Sequence, residues 1–207
     1  MAQKYYAVRV GVQPGIYTNW NECKKNVIGY SGAIYKSFTT EEDAIIFMNQ
    51  SPIQPNNDEE SEMCCTAYVD GSYNEKTGRY GSGFYFKDYN GIINEFSFAR
   101  YNPFCASMRN VAGELDAAIQ AVEYAISINA KCIKIYYDYS GIECWAMGYW
   151  NCNNPNTQIY QEIMKNFMKI IDIKFIKVKG HTGDFGNERA DYLAKLSCGM
   201  IEEQKET

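Results

Sequence analysis

The residue pattern predicts an α/β chain: a mixed five-stranded sheet flanked by helices, preceded by a small α+β unit of three strands. Three observations predict it. After residue 63 the apolar spacing reads strand, strand, strand, helix, strand, helices, strand, helix. Three antiparallel strands followed by strand–helix units imply one sheet with both kinds of pairing, covered by helices. The stretch SPIQPNNDEESEM (51–63) is acidic and Pro/Asn-rich, so it reads as an exposed, flexible linker between two packed units.

In the first unit (1–50), KYYAVRVG alternates like a strand, Gln13-Pro14-Gly15 signals a hairpin turn, and GIYTNW reads as a second strand. NECKKNVIGY suggests a short helix opening near Thr18 or Asn19 as N-cap. AIYKSF is a third strand, and TTEEDAIIFMNQ a helix with a Thr/Glu cap. In the second unit (64–200), CTAYVDGS is an alternating strand followed by a Gly-rich turn. YGSGFYFKDYNGIINEFSFARY gives two strands joined at Asn90-Gly91. VAGELDAAIQAVEYAISINA is a long helix with Leu115, Ile119, Val122 and Ile126 on one side. The strand CIKIYYDYS, the helices GIECWAMGYW and NTQIYQEIMKNFMKII, the strand IKFIKVKG and the helix NERADYLAKLSCG follow. Residues 201–207 form an acidic tail.

The 207 residues are 46% apolar and 22% charged, as in folded soluble proteins. No apolar run approaches the roughly 18 residues of a membrane span, and the N-terminus lacks a signal peptide's apolar core. Eight cysteines without a C-x-x-C pair read as reduced structural thiols, which places the chain in the cytoplasm. With one histidine, a zinc site is not expected. The net charge of −5 argues at first against a nucleic-acid partner. Its distribution does not: residues 51–63 carry −4 and the tail −2, while residues 64–200 balance at zero.

Asp70, Glu114, Asp138 and Asp191 each lie at the end of a predicted strand or near the start of a helix. Converging carboxylates repel one another and raise each other's pKa values. Divalent cations remove that penalty, and an oxygen-rich site suits magnesium or manganese. A pair of such ions serves phosphodiester hydrolysis.

At these residues the chain resembles the ribonuclease H family (type 1), through YVDGSYN, SMRNVAGEL, IYYDYS and VKGHTGDFGNERADYLA in order over residues 64–199. The N-terminal unit resembles the viroplasmin-like hybrid-binding domain that precedes many such enzymes. The resemblance implies a ribonuclease H-like fold and an endonuclease that cuts the RNA strand of RNA–DNA hybrids. Two Mg²⁺ ions, with Mn²⁺ as substitute, would act from Asp70, Glu114, Asp138 and Asp191 and leave 5′-phosphate and 3′-hydroxyl ends. It implies that His181, in the Gly-flanked loop KGHTGD, assists proton transfer and product release. Glu188 and Asn187 would act beside the last carboxylate, although both also suit a helix start, Asn187 as cap. Asn110 would read a 2′-hydroxyl of the hybrid. For Gly71 and Ser72, close approach of the RNA backbone and a plain turn both stand.

In the first unit, Trp20, Tyr35, Lys36 and, more weakly, Tyr6 match positions that hold the duplex, with a core role for the aromatics as the competing reading. The partner is an RNA–DNA hybrid, with double-stranded RNA as the other duplex for this unit, and no obligate protein partner is evident. Ser37 replaces a frequent lysine, and Tyr139 replaces a frequent Ser or Thr after the third carboxylate. MGYWNCNNPNTQ lacks a basic protrusion, so the N-terminal unit would supply grip by tethering. A transposase- or integrase-type nuclease would need a carboxylate triad at other spacings. A non-catalytic hybrid- or double-stranded-RNA-binding module would not need all four carboxylates.

Overall fold

The structure, a computed structural model, describes residues 3–30, 33–49, 63–102, 107–180 and 183–202. The expected linker up to residue 62, His181, Cys105 and tail residues 203–207 lie outside the described residues.

In the first unit, β1 (Tyr5–Val10), β2 (Gly15–Tyr17) and β3 (Ile34–Phe38) form an antiparallel sheet in the order β2-β1-β3. Two helices, α1 (Trp20–Val27) and α2 (Glu41–Asn49), complete it. The second strand is shorter than its alternation suggests. Asn19 accepts the Asn21 amide at 2.8 Å and caps α1, which draws Trp20 into the helix. Thr40 opens α2 by a reciprocal pair with Asp43, rather than with a glutamate: its hydroxyl accepts the Asp43 amide at 3.2 Å and donates to the Asp43 carboxylate at 2.6 Å.

The second unit holds the expected mixed sheet. Its strands are β4 (Cys64–Asn74), β5 (Arg79–Lys87), β6 (Ile93–Arg100), β7 (Cys132–Tyr137) and β8 (Asp172–Lys177), in the order β6-β5-β4-β7-β8. The first three pair antiparallel, whereas β4–β7 and β7–β8 pair parallel. The helices are α3 (Asn110–Ser127), α4 (Gly141–Ala146), α5 (Pro155–Phe167) and α6 (Phe185–Ser197). No helix among the described residues is long and apolar enough to cross a membrane.

The Gly-rich turn expected after Asp70 is not there. Strand β4 continues to Asn74, with Gly71 opposite Ser82 and Ser72 opposite Gly81. Its glycine serves packing instead. A Cβ on Gly71 would overlap the Glu114 amide and Asn110 carbonyl, and one on Gly113 would overlap the Gly81 carbonyl. Bare backbone at both positions lets the start of α3 lie directly on β4 and β5.

Cys64 and Cys132 depart from the expectation of reduced thiols. They stand directly opposite in the β4–β7 register, 4.4 Å apart at Cα, and form a disulfide. Cys23, Cys65, Cys144, Cys152 and Cys198 are free, and all but Cys152 are buried.

The two units also share a small core. Cys144, Tyr149 and Trp150 of the second pack with Ala7, Ile34 and Phe47 of the first. Arg9 donates to the Tyr149 hydroxyl at 3.0 Å, and Trp150 Nε1 donates to the Ala33 carbonyl at 3.2 Å. The N-terminal unit is therefore docked on the second unit, which a purely tethering role does not require.

Candidate active site

The parallel register of β4 and β7 sets Tyr68 beside Tyr136 as the last pair, so Asp70, within β4, and Asp138, just past the end of β7, come side by side two residues further on. Packing of the α3 start on Gly71 brings Glu114 over them, and α6 supplies Asp191. All four carboxylates line one cleft of about 900 Å³.

The electrostatics follow from that convergence. Burial, then the Asp138 charge, pushes Asp70 up to about 7, against a stabilising bond from the Gly71 amide at 2.6 Å. Burial, then the charges of Asp70 and Asp138, pushes Glu114 up to about 8. Asn110 opposes this by donating to Glu114 Oε1 at 3.0 Å. Glu114 is 4% exposed, and its Oε2 has no hydrogen-bond partner. A buried carboxylate oxygen without a donor, beside further carboxylates, fits a hard divalent cation. Among the described residues no three such groups close around a single point, and Lys195 Nζ holds Asp191 Oδ2 at 2.7 Å. The donor set therefore suits cations, but Asp191 must exchange a lysine for one.

The other candidates divide. Asn110, Gly71 and Ser72 line the cleft. The Ser72 side chain is buried and directed to Met200 Sδ at 3.0 Å. His181 lies outside the described residues, but Gly180 before it is set close to Asp138: a Cβ there would stand 2.6 Å from Asp138 Oδ2. Glu188 is exposed on α6 and does not line the cleft. Asn187 does not cap α6. Asp184 does, accepting the Asn187 amide at 3.1 Å, and Asn187 is buried with its Oδ1 unpartnered.

Tyr6, Trp20, Tyr35 and Lys36 come together elsewhere, in a second cleft of about 720 Å³ between the two units. Trp20 packs against Tyr6 and Tyr35 at ring-centre distances of 5.5 and 6.0 Å. It remains 39% exposed, so a plain core role does not describe it.

Lys195, Arg109 and Tyr139 are among the residues of the carboxylate cleft that the sequence does not mark as site residues. Lys195 had a signal, four residues after Asp191 on one helix face. Tyr139 stands next to Asp138, and burial, then the Glu114 charge, pushes its hydroxyl up to about 12. Arg109 precedes α3 with a φ of 49°, which no local residue choice signals.

Comparisons with known proteins point to one family. The family described as the ribonuclease H1 N-terminal domain matches residues 4–48, and the family described as RNase H matches residues 62–198. The chain is 25% identical to ribonuclease H1 of Homo sapiens over 260 residues, 96% of this chain and 91% of that protein. It is 33% identical to ribonuclease H of Francisella philomiragia subsp. philomiragia over 148 residues, 65% of this chain and 91% of that protein. RNase H1 from Halobacterium salinarum NRC-1 superposes with a TM-score of 0.56 at 24% identity, covering 67% of this chain and 99% of that one. LC11-RNase H1 in complex with RNA/DNA hybrid superposes at 0.51 with 16% identity, covering 64% and 98%. These two structural likenesses carry the fold alone.

Proposed function

The chain belongs to the ribonuclease H family, and we propose that its carboxylate cleft cuts the RNA strand of RNA–DNA hybrids with the help of divalent cations. The observation that carries this reading is Glu114: a buried carboxylate with one unpartnered oxygen, in a cleft shared with Asp70, Asp138 and Asp191. These four would hold two Mg²⁺ ions, or Mn²⁺ in their place. When bound, the ions supply an activated water and charge stabilisation at the leaving 3′ oxygen, giving 5′-phosphate and 3′-hydroxyl ends.

The chain's own residues do the rest. The Asn110 amide orients Glu114 and lies where it can read a ribose 2′-hydroxyl, which separates RNA from DNA. Gly71 fixes the close seat of α3 that brings Asn110 and Glu114 to the strand ends. His181, next in sequence to Gly180, would move a proton and speed product release. Glu188 and Asn187 would support this end of α6 from outside the cleft. Residues 1–50, with Tyr6, Trp20, Tyr35 and Lys36, would grip the duplex, with double-stranded RNA as an alternative ligand. We place the enzyme in the cytoplasm; the five free thiols fit a reducing compartment, whereas the Cys64–Cys132 disulfide does not.

The test is direct. Purified protein with Mg²⁺ or Mn²⁺ should cleave the RNA of a labelled hybrid and leave either single strand intact. Asp70→Asn should abolish cleavage and still bind hybrid. Inertness toward hybrid under both ions would overturn the enzyme reading.

A further inference from the structure

The register of the second sheet arranges residues in rows on the face that carries α6. Thr66, Tyr68 and Asp70 alternate along β4 on that face, since a Cβ at Gly186 of α6 would overlap the Tyr68 ring. The row through Tyr68 is Tyr85, Tyr68, Tyr136 and Ile176. The row before it is Lys87, Thr66, Lys134 and Lys174. Neighbouring strands lie about 4.8 Å apart, so Lys87 and Lys174 end a line of roughly 14 Å. Along β4 this row stands about 13 Å from Asp70.

Like charges directly opposite one another destabilise a sheet. Among the described residues, Lys174 meets only Asp172, at 3.9 Å, and that carboxylate is 64% exposed. Lys134 lies half-buried beside Lys174, with no acid paired to it among the described residues. Helix α6 begins over the tyrosine row, beyond the lysines, and packs on β4, β5 and β6. Its first residue, Phe185, stands edge-on to Tyr85 at 5.6 Å and is 68% exposed.

A line of ammonium groups beside an open ring suits a single nucleic-acid strand, because lysine meets phosphate and a ring stacks on a base. An acidic peptide is better matched by arginine forks, and the row holds no arginine. The Thr66 hydroxyl, between the lysines, can bond a ribose 2′-hydroxyl, which favours RNA over DNA. We infer that Lys87, Lys134 and Lys174, with Thr66 and Phe185, form a site for single-stranded RNA on the α6 face. None of these residues lines the carboxylate cleft or the cleft between the units. The site goes beyond the proposed cutting of hybrids and does not depend on it.

The test is binding of a fluorescent twelve-nucleotide oligouridylate to the full chain in EDTA, followed by anisotropy across salt concentrations. Lys134→Gln with Lys174→Gln should weaken binding and reduce the salt slope by about 1.4, two single-strand phosphate contacts. Lys165→Gln with Lys169→Gln, the same charge change on α5, should leave both unchanged. Phe185→Ala should weaken binding about tenfold, the scale of one lost stacking platform. Cleavage of a blunt hybrid should be the same in all these variants. Equal effects of the two lysine pairs would reveal a general charge effect and overturn the site. So would oligouridylate binding that ignores the Lys134, Lys174 and Phe185 changes; either result leaves hybrid cutting standing. Tighter binding of oligothymidylate, or of a decaglutamate peptide, overturns RNA as the occupant.

Discussion

Arg9 Nη2 and Glu143 Oε1 lie 3.4 Å apart across the contact between the two units, with side chains only 5% and 15% exposed. The other Glu143 oxygen accepts the Tyr137 hydroxyl at 2.6 Å, and Tyr137 ends β7 one residue before Asp138. An ion pair that joins the units is therefore one side chain away from the strand that presents a site carboxylate. Removing one partner of a buried pair leaves the other charge without compensation, which costs far more than the pair itself contributes. Arg9→Ala should destabilise the protein by roughly 3 kcal/mol in urea unfolding. Arg9→Met with Glu143→Gln removes both charges and should recover much of that loss. Equal loss in the single and double variants would show that packing of the Arg9 stem, not charge, holds the contact.

The raised carboxyls make stability depend on pH and on cations together. Glu114 sits at about 8 and Asp70 at about 7, both above their ordinary values near 4. A carboxyl raised by folding binds its proton more tightly in the folded state. Between its unfolded and folded pKa values the folded chain holds more protons, so stability falls as pH rises. Without divalent ions, the melting temperature should drop between pH 5 and pH 8, with Glu114 and Asp70 the largest contributors. Mg²⁺ should restore more stability at pH 8 than at pH 5, because at low pH protons already remove the repulsion. Asp70→Asn should flatten the metal-free slope. A melting temperature that does not fall across this window, measured by calorimetry in EDTA, would show that Glu114 and Asp70 are not buried and crowded as placed.

Much of this site was legible from local pattern. Asp70, Glu114, Asp138 and Asp191 converge as the order of strands and helices implies, because parallel β4–β7 pairing and the α3 crossover leave little freedom in where those residues end. What was not legible depends on contacts far apart in sequence. Nothing near Arg9 announces Glu143, 134 positions away. Nothing near Cys64 announces Cys132, which is a matter of strand register alone. Of the two readings of Asn187, the cap fails because Asp184, three residues earlier, is an equally good cap and takes that place. Gly71 looked like a turn glycine because sequence shows the missing side chain but not the helix that occupies its place.

That helix seat gives a sharp stability test. A Cβ at Gly113 would overlap the Gly81 carbonyl and come within 3.0 Å of the Gly71 Cα, both of them backbone that cannot swing aside. Gly113→Ala should therefore lose about 1–3 kcal/mol of stability, although alanine is the better helix former by roughly 1 kcal/mol. Glu114 would be lifted away from Asp70 with the helix, so cation binding, measured by titration calorimetry, should weaken. A variant as stable as the parent, with unchanged cation affinity, would mean that α3 can shift without disturbing the site.

Lys195 offers the converse case, a residue whose removal should improve one property. Its ammonium holds Asp191 Oδ2 at 2.7 Å, with the two side chains 37% and 26% exposed. A cation that takes Asp191 as a ligand must displace it. Partly exposed pairs of this kind contribute about 0.2–1 kcal/mol, so freeing Asp191 should tighten cation binding by up to about fivefold. Lys195→Met keeps the length of the side chain and removes the charge. Titration calorimetry with Mn²⁺ on the substrate-free protein should show the tighter binding. If Lys195 also meets substrate phosphate from its place in the cleft, hybrid affinity should fall in the same variant and lose part of its salt dependence. Unchanged Mn²⁺ affinity would show that the ion pair opens at no cost, and that Asp191 is free to receive a cation despite the contact.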